Sequence, residues 1–378
     1  MLFASFVGAA TDRQLDLVVG VVYGISIEKS KEHGMKKDFI HIQNFEASEL
    51  EALIRLTEVV KEAAKKRALP NLLHKASVAM IFEEASTRTR TSFEVAAMML
   101  GGHALYMRPN EIHLGKSESL YDTAKVLSRM VNGIVIRATK YGEIADLATY
   151  SDVPVINAMA DDANHPTQAL CDVFTMYEKT GRIKGLNLAF VGVSKKGESA
   201  SNVCRDLMLI SSIMGINCTV ASPTEYSADQ EFLHQTRENA KRSGAAITIT
   251  DDPIDAVSHA DFVYTDEFAW YDTSKEEKEK RTRTFIPKYQ VNAELMKHAP
   301  PQAKFMHCLP ARRNEEVTDE VMDGHQSIIF DQSENKLHAN IALLTAFVSP
   351  RLSPAAKGQG RYASKIQALT RKFHARQD

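Results

Sequence analysis

The sequence is short of the features that tie a chain to a disulfide scaffold, a membrane or nucleic acid. It has four cysteines among 378 residues, at 171, 204, 218 and 308, with no C-x-x-C pair. Cysteines scattered in this way argue against a disulfide framework and read as reduced thiols of a cytoplasmic protein. No apolar run reaches the length of a membrane span. A formal net charge of -2 leaves no basic footprint for nucleic acid and no attraction to an anionic membrane. His307-Cys308 could offer metal ligands, but nothing nearby completes a zinc set, so no metal is expected. Internal repeats and low-complexity tracts are also missing.

The composition that remains is a globular profile, 44% hydrophobic and 25% charged, in a chain long enough for two domains. Residues 1–34 stand apart. Their apolar stretch, 15–27, lacks a basic leader and a small-residue cleavage site, which argues against a signal peptide. Asp12 and Asp16 argue against a transit peptide. The expectation is an atypical extension, with the ordinary protein starting near Met35.

From residue 38 onward, short apolar runs alternate with amphipathic stretches. Strands are expected at 77–82, 133–137, 153–158, 188–193, 218–221, 246–250, 262–265, 305–308 and 327–330. Helices are expected at 47–66, 90–100, 119–131, 166–179, 198–214, 229–243 and 333–348. The alternation predicts an α/β protein of two Rossmann-like domains, each a parallel sheet covered by helices on both faces. A polar, glycine-bearing connector at 180–185 divides residues 35–180 from 181–332. A helix at 333–348 and a basic tail at 349–378 complete the chain. The charge run at 274–283 reads as an exposed loop or helix face.

Several polar constellations sit between a strand and a helix. Ser86-Thr87-Arg88-Thr89-Arg90 offers hydroxyls, a guanidinium fork and free N–H groups, which suits a phosphate. Plain N-capping by Ser86 or Thr87 fits the same residues. Arg88 and Arg90 lie about 200° apart on a helix, so both cannot face one ligand, and Arg90 is expected to pair with Glu94. His165-Pro166-Thr167-Gln168 places two polar side chains beside a proline-led helix start. His307-Cys308-Leu309-Pro310 ends an apolar strand; Cys308 reads as a nucleophile or as a small packing residue. Gly192 to Ser199 resembles a P-loop, but Glu198 stands where the lysine should, which argues against nucleotide hydrolysis.

Taken in order, these motifs resemble the carbamoyltransferase family, which includes the aspartate, ornithine and putrescine enzymes. The likeness runs from about Met35 to Phe347, and Glu315 to Val321 matches the ornithine and putrescine branch. The resemblance implies a carbamoyl-phosphate domain, an amine domain and a homotrimer with shared active sites. It implies that Ser86, Thr87, Arg88 and Thr89 hold the phosphate, with His113 reaching it in the neighbouring subunit. Arg137, His165 and Gln168 would surround the carbamoyl group, and Cys308 and Leu309 would close the site. Arg88, Arg137, His165 and Cys308 would then be the catalytic set; Asn202, Asp266 and Trp270 would meet the amine. No cofactor is implied.

The match departs from the family in three places. The Ser-Met-Gly element of ornithine enzymes and the Tyr-Gly-Leu-Tyr element of putrescine enzymes are both replaced, at 266–272, by Asp-Glu-Phe-Ala-Trp-Tyr-Asp. Glu267 and Asp272 add negative charge there, which suits a dication or is simply solvated. Residues 193–201 lengthen the loop before Asn202. Lys336 stands where an arginine usually touches carbamoyl phosphate, keeping the charge but losing the bidentate fork. The expected activity is carbamoyl transfer to a small aliphatic amine, putrescine ahead of ornithine. A carbamoyl-phosphate-binding protein without turnover is the alternative from another class.

Overall fold

The computed structural model of the chain describes residues 38–108, 118–193, 202–269, 273–286, 288–349 and 361–374. In chain order the first half runs α1 (Ala47–Lys65), β1 (Ser77–Phe82), α2 (Thr87–Met99), β2 (His103–Met107), α3 (Leu120–Met130), β3 (Gly133–Ala138), α4 (Tyr141–Tyr150), β4 (Val155–Ala160) and α5 (Pro166–Thr180). The second half begins β5 (Asn187–Val191), α6 (Asn202–Met214), β6 (Asn217–Ala221), α7 (Gln230–Ser243), β7 (Ile247–Thr250), α8 (Pro253–Val257) and β8 (Phe262–Thr265). It continues α9 (Lys275–Phe285), α10 (Ala293–His298), β9 (Lys304–Met306), α11 (Asp319–Met322), α12 (Ile329–Phe347) and α13 (Arg361–His374).

The strands form two parallel sheets, ordered β2-β1-β3-β4 and β7-β6-β5-β8-β9. β3 and β4 are buried at every position, as strands of a sheet covered on both faces must be. Their sequences are accordingly apolar runs rather than alternations. Each sheet reverses its strand order once, between β1 and β3 in the first and between β5 and β8 in the second. Open α/β sheets hold ligands in the crevice beyond the strand ends at such a reversal. Phe82 and Arg137 are level across β1 and β3, so the segment leaving Phe82 emerges at the same sheet edge as Arg137.

Gly181, in the left-handed conformation at φ 71°, stops α5 and turns the chain toward the second sheet. α5 is buried from Pro166 to Tyr177 and therefore carries buried Thr167, Gln168, Asp172 and Thr175 as well as apolar residues. It packs against α12 and α6. Phe174 and Phe190, both fully buried in this shared core, each contribute about 1.5–3 kcal/mol of transfer free energy.

Sequence and structure differ in places. The strand expected at 327–330 is absent: Ser327 makes an isolated bridge to Phe305, and α12 begins at Ile329. Ile329 is buried while Phe330 is exposed, and burial returns at Gln332, Asn335 and Lys336, a helical step. The half-buried edge strand β2 and helix α4 have no counterpart among the expected elements. The charge run becomes α9, yet its Arg281 is buried and donates to the Phe268 carbonyl at 2.9 Å. The tail helix α13 lies on α1 of its own chain, with Phe373 against Phe45 and Phe347. Residues 1–34 and the P-loop-like stretch after Val193 lie outside the described residues.

Candidate active site

β1 ends at Phe82 and α2 begins at Thr87, with Ser86 in the N-cap position. Ser86 makes no side-chain cap bond, so capping does not account for the motif. The first-turn N–H groups of a 13-residue helix carry partial positive charge toward an anion. Arg90 turns away from this end: its Nε donates to Glu94 at 3.0 Å, and its guanidinium stacks 3.6 Å above the Tyr106 ring.

A cavity of about 290 Å³ opens here between the two sheets. From the first half it is lined by Ser86, Thr87, Arg88, Thr89, Arg137, Met159, His165 and Gln168. From the second it is lined by Asn202, Val203, Asp266, Glu267, Cys308, Leu309 and Pro310, with Lys336 supplied by α12. Every candidate residue that falls among the described residues lines this cavity. His113 and Trp270 lie outside the described residues.

Positive charge concentrates on one wall. Arg137 is buried at the end of β3, with Nη2 3.3 Å from Asp161. Burial pushes the Arg88 guanidinium below its usual value, opposed by Cys308, Asp266 and Glu267 and reinforced by Arg137; it stays charged. Lys336 Nζ donates to Gln168 Oε1 at 2.8 Å and lies 3.4 Å from His165 Nε2. Burial lowers its ammonium to about 8. Burial, then Lys336, Arg137 and Arg88, hold His165 well below the usual histidine range, so its imidazole is neutral.

Acidic groups line the same cavity from the second half. Asp266 comes directly after β8 and accepts the Cys308 thiol at 3.3 Å. Burial, with Asp266 beside it, pushes the Cys308 thiol far up, so it is a hydrogen-bond donor and not a thiolate nucleophile. Glu267 lies 3.5 Å from Arg312, and burial plus Asp266 raise its carboxyl to about 7. His307 Nδ1 accepts the Leu309 N–H at 2.9 Å, and its Nε2 meets Glu316 at 3.3 Å. That fixes the Nε2–H tautomer and holds the turn on which Leu309, at φ 60°, faces the cavity. Asp266, His307 and Cys308 bring ligand atoms within 4.8 Å of one another, but both His307 nitrogens are engaged.

Behind these residues lies a buried network that the motifs do not reveal. Asp172 accepts from Gln168 Nε2 at 2.7 Å, Gln332 Nε2 at 2.7 Å and Tyr264 OH at 3.1 Å. Gln332 Oε1 takes the His307 N–H at 2.9 Å. Asp206 Oδ2 takes the His165 N–H at 2.7 Å, and Asn202 Nδ2 donates to the Ala160 carbonyl at 3.1 Å. The two halves are thus joined by side chains directly behind the cavity. The signal for Asp172 and Asp206 in sequence is a lone acid inside an apolar helical run, a pattern read too easily as a solvated face.

Residues 37–178 match the family described as the aspartate/ornithine carbamoyltransferase carbamoyl-P binding domain, and residues 184–347 match the Asp/Orn binding domain. Over 344 residues the chain is 44% identical to the putrescine carbamoyltransferase of Mycoplasma capricolum, covering 88% of this chain and 92% of that one. Over 309 residues it is 43% identical to an ornithine carbamoyltransferase of Thermococcus kodakarensis, covering 82% and 95%. The solved ornithine carbamoyltransferase from Pyrococcus furiosus is similar with a TM-score of 0.78 at 40% identity, over 84% of this chain and 98% of that one.

Proposed function

Because the chain belongs to the aspartate/ornithine carbamoyltransferase family, we propose that it moves the carbamoyl group of carbamoyl phosphate to the primary amine of a small aliphatic amine. Putrescine stands ahead of ornithine as acceptor, a choice supported by the relative in Mycoplasma capricolum and by the anionic acceptor wall. The observation that carries the reading is one cavity lined both by the cations Arg88, Arg137 and Lys336 and by the carboxyl groups Asp266 and Glu267.

The α2 N-terminus, Ser86, Thr87, Thr89 and Arg88 bind the phosphate, and Lys336 adds a point charge. Arg137, neutral His165 and Gln168 hold the carbamoyl group. The amine nitrogen attacks the carbamoyl carbon, its electron pair forming the new C–N bond, and negative charge develops on the carbamoyl oxygen. Fixed donors stabilise that charge without reorganising. Collapse breaks the C–O bond to phosphate, which leaves with the electron pair and takes up the proton released by the attacking nitrogen. An alkylamine with a pKa near 10 is only about 0.1% neutral at pH 7, so the incoming ammonium must first lose a separate proton, and the acceptor for it is Asp266, which holds the Cys308 thiol and lines the cavity with Asn202.

Residues 35–180 are proposed to hold carbamoyl phosphate and residues 181–332 the amine, with the helix at 333–348 returning to the first half. A homotrimer in the cytoplasm completes the proposal. Val126 and Met130 support the oligomer, leaving apolar side chains exposed one turn apart on α3. No described helix is long and apolar enough to cross a membrane.

The test is turnover of carbamoyl phosphate with putrescine, ornithine, agmatine, lysine and aspartate, monitoring ureido product and phosphate. Turnover with putrescine above ornithine is expected. Carbamoyl phosphate binding with no product from any amine would replace this reading with a non-catalytic one.

A further inference from the structure

The acceptor wall contains a carboxylate that the family pattern does not explain. Glu267 comes two residues after the end of β8, which is a strand of the order reversal in the second sheet, and lines the cavity with Asp266. Its side chain is only 15% exposed. Two adjacent acids in a mostly buried place repel one another, and the nearby cation Arg312 approaches Glu267 at 3.5 Å while also meeting Glu315 at 4.0 Å. A bound ammonium would relieve that repulsion.

The same cavity is also lined by cations. Arg88, Arg137 and Lys336 draw in an anion and repel any ammonium that strays toward them. A diamine can satisfy both walls at once: one neutral nitrogen toward the carbamoyl carbon, one ammonium held back. An α-amino acid would bring a carboxylate toward the same acids, and the mismatch costs it affinity.

We infer that Glu267 is the specificity-determining residue of the acceptor side, taking the distal ammonium of an unbranched diamine and disfavouring an acceptor that carries a carboxylate. This rests on the diamine reading above.

The experiment compares the full-length wild type, E267Q and E267D at saturating carbamoyl phosphate, with putrescine and ornithine as acceptors. E267Q is expected to raise the KM for putrescine by about 10- to 100-fold, with kcat changed far less, and to lower the putrescine-to-ornithine ratio of kcat/KM. E267D keeps the charge and is expected to keep most of the preference. An unchanged ratio in E267Q overturns the inference. So does a loss shared equally by kcat and by the KM for carbamoyl phosphate, which would mark general damage, or a loss in E267D as large as in E267Q. Wild-type turnover of ornithine but not putrescine overturns the diamine reading itself, whatever the variants do.

Discussion

Lys336 Nζ stands 2.8 Å from Gln168 Oε1 across 168 residues of chain, joining α12, which returns from the second half, to α5, which begins at the cavity. The contact puts a titratable cation at a position where the carbamoyltransferase pattern has arginine. Its charge is therefore conditional on pH in a way that a guanidinium is not.

The first prediction rests on that difference. Burial lowers the Lys336 ammonium from 10.5 to about 8, with Arg88 also lowering it and Cys171, Cys308 and Asp172 opposing. Below about pH 8 the cation is present; above it the charge fades. Carbamoyl phosphate affinity in the wild type should weaken by up to about ten-fold per pH unit beyond that point. Lys336→Arg should flatten the alkaline limb, read by calorimetric titration of carbamoyl phosphate from about pH 7 to about pH 9.5.

A second prediction separates the two arginines of the phosphate motif. Arg88 lines the cavity, so Arg88→Ala should lower kcat/KM by about 100- to 1000-fold, the usual cost of removing a donor to developing charge. Arg90 is committed to Glu94 and Tyr106, so Arg90→Ala should stay within about two-fold of wild type. Steady-state kinetics on the two variants checks both numbers.

Asp206 supplies a third, with a sign that can be worked out. Burial raises its carboxyl from 3.8 to about 7, partly opposed by the His165 N–H and by Arg205. Between those values the folded chain binds more protons than the unfolded one. The stabilising contribution is complete below about pH 4 and is lost as pH rises through about 7. Asp206→Asn can still accept the His165 N–H but carries no charge to bury. Its stability relative to wild type should therefore improve from about pH 5 to about pH 8.5, by on the order of 2–4 kcal/mol at most. Urea unfolding midpoints at the two pH values measure the change.

Cys308 gives a fourth. Its thiol is held protonated by burial and by the carboxylate it donates to. Iodoacetamide at neutral pH should alkylate it slowly, at or below the rate of free cysteine, as monitored by mass spectrometry. Cys308→Ser, which keeps a donor to Asp266, should retain far more activity than Cys308→Ala.

Much of the fold and site is legible in sequence because the pattern is local. β1 and β8 end where expected, since apolar runs are bounded there by polar turn residues. Ser86 to Thr89 and His165 to Gln168 can be placed at helix starts because each lies just beyond a strand. The stretch 327–330 misleads because Ile328-Ile329-Phe330 is too short to carry a period, and only the burial of Gln332 and Lys336 shows it to be helical. Arg281 is hidden inside a charge run whose other members are exposed or half-buried. The roles of Asp172, Asp206 and Gln332 are hard to read, since Gln332 reaches Asp172 across 160 residues of chain, His165 reaches Asp206 across 41 and His307 reaches Gln332 across 25.

The central claim is group transfer in the cavity between the two sheets. Its most direct test supplies carbonyl-labelled carbamoyl phosphate and putrescine and tracks the labelled carbon by NMR, in wild type and Arg88→Ala. The account predicts that the label moves into a ureido carbon in step with phosphate release, and that Arg88→Ala slows both together. Label emerging only as the products of spontaneous carbamoyl phosphate breakdown, at the same rate with and without protein, would contradict it.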